Sequence, residues 1–196
     1  MSLRVIAGSA KGRMIKSVPG DMTRPITDRV KESLFDILDG DVVDSNWWDV
    51  FAGTGAVGIE ALSRGAAFCR FTDLNRIPVD TINANLATTR LSSRAEAKRA
   101  EAFASLASPP DRYFHYIYIA PPQYKGMWIE ALNGLDSNLG WLAEDGWAIA
   151  QIHPKEYKQL VLNGLEEFDR RKYGSTLLVF YQRMEVKFGG ETKRNE

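Results

Sequence analysis

The sequence predicts an α/β protein built on a mostly parallel sheet that ends in an antiparallel hairpin. Three observations carry this. Strand-like and helix-like runs alternate from Trp47 to Ile152, the pattern of a parallel sheet covered on both faces. A glycine-rich turn stands between the first strand and helix of that series. The last two apolar runs are joined by Tyr173-Gly174-Ser175, a turn too short to hold a crossover helix.

Leu3–Ala7 and Arg13–Ser17 flank Gly8–Gly12 and predict a β-hairpin, followed by a proline-punctuated loop through Pro25. A helix begins at Thr27 or Asp28, with Val30, Leu34, Ile37 and Leu38 on one face. Strands are expected at Trp47–Phe51, Ala67–Thr72, Ala95–Ala100, Phe114–Ile119 and Trp147–Ile152. Helices are expected at Ala56–Arg64, Val79–Thr88, Ala102–Ala107 and Trp128–Leu135. Leu165–Tyr173 and Thr176–Tyr181 form the closing hairpin. Residues 1–26 read as a basic extension, 27–184 as the main domain, and the polar stretch 185–196, with Gly189-Gly190, as a flexible tail.

A chain of 196 residues, 44% hydrophobic and 26% charged, has the composition of one globular domain rather than a disordered segment. A single cysteine, Cys69, excludes an internal disulfide and a cysteine-rich zinc site. No signal-peptide pattern and no membrane-length apolar run is present, so a cytoplasmic protein without a membrane partner is expected. The net charge of zero is uneven. Residues 1–33 carry +4 and the remainder −4, which suggests a local anionic partner at the front of the chain.

Asp49-Val50-Phe51-Ala52-Gly53-Thr54-Gly55-Ala56-Val57-Gly58 ends a strand and opens a helix, and Asp73 stands 20 residues after Gly53. Glycines there permit a tight turn and close ligand approach, and the spaced acid suits ribose hydroxyls. A dinucleotide would bring a pyrophosphate to this turn, against the charge of Asp49. S-adenosylmethionine carries a sulfonium and an ammonium and no phosphate. One misplaced unit charge at ~4 Å costs several kcal/mol at an effective dielectric near 20, so the carboxylate favours the cationic donor. Glu101-Ala102, just past the third strand of the series, is placed to meet an adenine edge or simply to open a helix.

Ala120-Pro121-Pro122-Gln123-Tyr124 follows the fourth strand. The prolines stop the sheet and cannot donate backbone hydrogen bonds, so carbonyl acceptors remain beside an aromatic plate. That suits a planar base with an exocyclic amine, flipped out or presented unpaired. No metal is needed for such chemistry.

The chain resembles the RsmD family, bacterial enzymes that methylate guanine N2 in small-subunit (16S) ribosomal RNA. The resemblance runs from residue 3 to about 183. It rests on Arg4-x-Ile6-x-Gly8 with Lys11-Gly12-Arg13, on Arg24-Pro25-x-Thr27-Asp28-Arg29-Val30-Lys31-Glu32-x-Leu34-Phe35, and on Asp49 through Ala66 with its glycine turn. Asn85-Leu86 and the Pro121-Pro122 loop complete it. It implies a Rossmann-like S-adenosylmethionine-dependent methyltransferase fold, with a seven-stranded mostly parallel sheet, a C-terminal antiparallel hairpin and an N-terminal β-hairpin extension. S-adenosylmethionine would be the donor and S-adenosylhomocysteine the product. Small-subunit rRNA, or its assembling ribonucleoprotein particle, would be the partner of a monomer.

Residue by residue, the resemblance implies that Asp49, Gly53, Thr54 and Gly55 hold the methionine part, Asp73 the ribose, and Glu101 and Ala102 the adenine, with Phe51, Ala52 and Leu74 also in the donor site and Asn75, where many relatives carry a second acid, reaching a ribose or ring edge. Thr27 and Arg29 belong to a helix closing over the donor. Arg4, Lys11, Arg13 and Arg24 face RNA. Ala120, Pro121, Pro122, Gln123 and Tyr124 form the catalytic loop. This chain departs from the family pattern at Ala120, where an Asp or Asn usually precedes the proline pair, and at Gln123, which displaces the aromatic to Tyr124. Three outcomes stay open: carbonyls of Ala120 and Pro121, with the Gln123 amide, replace the missing acceptor; the enzyme is slow; or it binds RNA without turnover. Other readings are an adenine-N6 DNA methyltransferase, a catalytically weak ribosome assembly factor, and an NAD-dependent oxidoreductase, the last disfavoured by Asp49. His115, His153, Cys69 and the five tryptophans are read as packing or loop residues, and Asp28, Arg29 and Glu32 as a surface ion-pair set.

Overall fold

A computed structural model of the chain describes residues 3–19 and 26–184. Arg24 and the 185–196 stretch lie outside the described residues. A short hairpin, β1 (Leu3–Arg4) and β2 (Met14–Ile15), precedes helix α1 (Asp28–Leu38). Alternation then runs through β3 (Asn46–Asp49), α2 (Ala56–Ser63), β4 (Phe68–Asp73), α3 (Arg76–Thr89), β5 (Ala95–Arg99) and α4 (Ala102–Ala107). It continues through β6 (Phe114–Ile119), α5 (Met127–Asp136) and β7 (Leu142–Ile152), and ends in the hairpin of β8 (Leu165–Tyr173) and β9 (Thr176–Arg183). The seven-stranded sheet has the order β5-β4-β3-β6-β7-β9-β8. The first five strands of that order are parallel, and β9 and β8 are antiparallel additions.

The expected fold class and alternation are present, with differences at element ends. α3 starts three residues earlier than the apolar spacing indicates and takes Pro78 into its first turn. A proline fits there because the first backbone N–H groups of a helix have no intrahelical acceptor. β7 starts at Leu142 rather than Trp147, before a register shift against β6. The N-terminal strands keep only two residues each.

The sheet has a core on each face, and Trp47 and Trp48 show why. Neighbouring strand residues point to opposite faces. Trp47 stacks on Phe35 of α1 with centroids 5.4 Å apart, and Trp48 meets Trp141 at 4.8 Å on the other side. Leu34, Ile59, Leu62 and Phe71 fill the first face; Leu106, Trp128, Leu132 and Ile117 fill the second.

The N-terminal segment packs on the first of these cores through Leu3, Val5, Ala10 and Ile15. A buried acid fastens it. Glu60 of α2 has no exposed surface, and its two oxygens accept the N–H groups of Ile6 (2.8 Å) and Ala7 (2.9 Å). Arg64 Nε lies 2.9 Å from the same carboxylate and the buried Lys31 Nζ 3.4 Å. Lys31 also donates to the Arg4 carbonyl. Gly8 adopts φ +80°, and a Cβ there would sit 1.8 Å from the Ser63 carbonyl oxygen, so backbone lies directly on backbone. Asn85 of α3 completes the attachment by bonding both the N–H and the carbonyl of Lys16. Among the described residues no helix is long and apolar enough to cross a membrane.

Candidate functional site

The chain leaves β3 toward β4 on one side, while β6 flanks β3 on the other. A crevice opens at such a reversal, beyond the carboxyl ends of the strands. The loops following β3, β4, β5 and β6 converge there around a cavity of about 260 Å³.

Asp49 ends β3 and is 2% exposed. The turn behind it uses positive φ at Gly53 and Gly55, and Gly55 caps α2 without a side chain. The Asp49 carboxylate supplies the missing cap by accepting the Gly58 N–H. Gly58 must be glycine because a Cβ would lie 2.4 Å from the Phe71 ring and 2.5 Å from Cys69 Sγ. Burial pushes the Asp49 carboxyl up to about 7; the Gly58 hydrogen bond opposes this and the nearby Asp73 charge adds to it. The group is therefore half-charged near neutrality, and a cation brought beside it favours the ionised form. A phosphate would meet repulsion instead. Asp49 also helps hold the buried Cys69 thiol protonated, with burial the larger cause.

Asp73 ends β4 and binds the glycine turn from the far side. Its Oδ2 accepts the Gly53 N–H at 3.1 Å and its Oδ1 the Asn75 N–H at 2.9 Å. Leu74 and Asn75 stand exposed at the rim, with Asn75 opening α3. After β5, Glu101 caps α4 by accepting the Ala104 N–H at 2.6 Å, and Ala102 is buried behind it. Phe51 packs edge-on against Phe103 with centroids 6.0 Å apart, joining this wall to the glycine turn.

The opposite wall is the β6 loop. Ala120, Pro121, Pro122 and Gln123 line the cavity together with Asp49, Phe51, Ala52, Gly53, Thr54, Asp73, Leu74, Asn75, Glu101 and Ala102. Tyr124 follows the last lining residue of this loop but does not itself line the cavity; it is 65% exposed, with φ +62°. Its backbone N–H is held by Glu156 at 2.6 Å, and its ring lies 5.3 Å from His153. A non-glycine residue in this region costs of order 1 kcal/mol or more, so the Glu156 contact fixes a strained presentation of the ring.

Several sequence candidates stand elsewhere. Gly55 lies in the turn but does not line the cavity. Thr27 caps α1 by accepting the Val30 N–H at 3.4 Å, and Arg29 is exposed on that helix; their neighbour Ile26 is the residue that reaches the cavity. Asp28 pairs with Arg4 at 3.0 Å, not with Arg29 or Glu32. Lys11 is exposed, and Arg13 donates to the Thr88 carbonyl at 2.6 Å. His115 accepts the Asn46 N–H and His153 the Lys155 N–H, both structural contacts. Among the described residues no group of three or more His, Cys, Asp or Glu is arranged to hold a metal ion.

Sequence reasoning missed Tyr118 and Gln151, which line the cavity beside Ala120. A signal was there: Gln151 is the one polar residue in the apolar run Trp147–Ile152. Tyr118 was hidden among the aromatic and aliphatic residues of β6.

The family model described as "Conserved hypothetical protein 95" matches residues 3–182. Bacillus subtilis YlbH is 38% identical over 184 residues, covering 92% of this chain and 99% of that protein. Ribosomal RNA small subunit methyltransferase D of Escherichia coli is 36% identical over 143 residues, covering 73% of this chain and 71% of that protein. The solved structure of Escherichia coli yhhF superposes with a TM-score of 0.83 at 31% identity, covering 93% of this chain and 98% of that one.

Proposed function

Because this chain belongs to the family described as "Conserved hypothetical protein 95", the RsmD-type methyltransferases, we propose that it methylates the exocyclic N2 of a guanine in small-subunit ribosomal RNA, with S-adenosylmethionine as donor. The observation that carries this reading is the buried, half-charged Asp49 beside the glycine turn, in one cavity with the Ala120–Gln123 loop. The donor set fits a ligand that is cationic and carries no phosphate. When bound, the donor supplies an electrophilic methyl on sulfur and leaves as S-adenosylhomocysteine.

The roles of the chain's residues follow from their chemistry. Asp49, with Gly53 and Thr54 beside it, receives the cationic part. The second lone pairs of the Asp73 oxygens accept ribose hydroxyls, and Glu101 with Ala102 borders the adenine. Tyr124 stacks the target base at the mouth. Carbonyls of the Ala120–Pro121 segment accept hydrogen bonds from the amine, which orients its lone pair toward the methyl. An aromatic amine is a weak nucleophile, so positioning supplies most of the rate. The N–C bond forms as the S–C bond breaks, and the surplus amine proton passes to water. Lys11 and the basic front of the chain contact the RNA backbone, where salt-dependent attraction adds affinity; Arg4, paired with Asp28, and Arg13, tied to Thr88, contribute less. The active species is a monomer acting on RNA or on the assembling particle.

The test compares methylated nucleosides of small-subunit rRNA from cells with and without the gene. Loss of N2-methylguanosine at one site supports the reading. An identical profile refutes it and favours an assembly factor without turnover.

A further inference from the structure

Ala120 brings no side-chain acceptor to the point where the target amine must be held. The neighbouring strand does. Ile119 pairs with Ala150 in the parallel β6–β7 register, so Gln151 stands level with Ala120. Gln151 lines the same cavity and is half-buried. Its orientation is fixed: Tyr118, diagonal to it on the same face, donates its hydroxyl to Gln151 Oε1 at 2.5 Å. Tyr118 is itself 2% exposed and sits in register with Asp49 of β3. Burial and the Asp49 charge keep its phenol protonated, hence a donor.

We infer that Gln151, oriented by Tyr118, is the side-chain group that holds the target base, replacing the acceptor absent at position 120. This rests on the methyltransfer reading above. An amide presents an acceptor oxygen and an N–H donor side by side. Oε1 has a second lone pair for an amine N–H, and Nε2 donates to a ring nitrogen. On guanine that pairing matches the N2–H and N3 edge. Gln151 does not take up the proton; it fixes the amine while the proton leaves to water. Tyr118 touches no substrate atom and is a positioning residue.

The test uses the full chain, tritiated S-adenosylmethionine and small-subunit particles from cells lacking the gene. Gln151→Ala is expected to lower kcat about 10- to 100-fold, the rate equivalent of losing one buried hydrogen-bonding partner, with donor affinity by calorimetry within about twofold. Gln151→Glu keeps an acceptor oxygen for the amine but loses the donor to the ring nitrogen, and recovers only part of that loss. Tyr118→Phe lowers kcat about 3- to 10-fold, and the double variant Tyr118→Phe/Gln151→Ala is no slower than Gln151→Ala alone, because the tyrosine acts through the glutamine. The inference is overturned if Gln151→Ala stays within twofold of the unchanged chain, if its loss appears in donor affinity, or if Gln123→Ala costs more. Absence of incorporation by the unchanged chain overturns the parent reading and this one together.

Discussion

Replacing Asp49 by Asn separates stability from donor binding, because the same buried charge that weakens the empty fold is the one that attracts the ligand. Raising a carboxyl from its ordinary 3.8 to about 7 corresponds to roughly 4 kcal/mol when fully ionised. The folded chain binds that proton more tightly than the unfolded chain. Stability therefore falls as pH rises from about 4 to 7, and the full penalty is present above 7. Asn keeps an oxygen to accept the Gly58 N–H and carries no charge. Allowing for the cost of burying an amide, Asp49→Asn should stabilise the ligand-free protein at pH 8 by about 1–3 kcal/mol, a rise in Tm of roughly 3–10 °C for a chain of this size. The unchanged chain should lose stability between pH 5 and 8 along a slope that the variant lacks. Binding of S-adenosylmethionine should move oppositely. A charge pair at ~4 Å and an effective dielectric of 20 is worth about 4 kcal/mol, so the variant should bind at least about 100-fold more weakly at pH 8. In the unchanged chain affinity should rise from pH 6 to 7 and flatten above, as the carboxyl ionises. Thermal unfolding and calorimetry across this range decide the matter. Equal donor affinity in the two proteins at pH 8, or parallel stability slopes, would refute the reasoning.

Three other perturbations address different parts of the account. Tyr124→Ala should reduce methylation of small-subunit RNA about 5- to 150-fold, the loss of ~1–3 kcal/mol of stacking, while donor binding persists; equal activity removes the stacking role. Glu60→Ala leaves Lys31 and two backbone N–H groups without their buried acceptor, so urea unfolding should show a loss of about 3–5 kcal/mol; a loss below about 1 kcal/mol contradicts the attachment described for the N-terminal segment. Gly58→Ala forces a methyl against Phe71 and Cys69 and should cost about 1–3 kcal/mol, read in the same assay, with no change showing that the strand gives way freely.

The sheet was legible because its central strands β3, β4 and β6 are buried on both faces and its helices are short and periodic. Alternation fixes the parallel order to within a crossover rule, and Tyr173-Gly174-Ser175 announced the antiparallel end. Element ends were less legible. Nothing in the apolar spacing of α3 marks Arg76 as its start, since a first turn needs no inward-facing residues. The glycine turn and Asp73 could be read as a unit because their spacing in sequence reflects one strand–helix–strand step. Gln151 and Tyr118 meet across two strands 33 residues apart, a contact set by register and invisible to local pattern. Glu60 shows the same limit. It stands in the apolar helical run Ala56–Leu62, with no local sign that the hairpin's backbone and Lys31 close over it. Thr27 and Arg29 were drawn in by their place in a matched motif, while Ile26, just before them, is the residue that lines the cavity.

The most direct test supplies the purified chain with radiolabelled S-adenosylmethionine and small-subunit particles from cells lacking the gene, then digests the RNA to nucleosides. Label confined to N2-methylguanosine is the predicted result. Label in N6-methyladenosine, or none despite measurable donor uptake, would contradict the account.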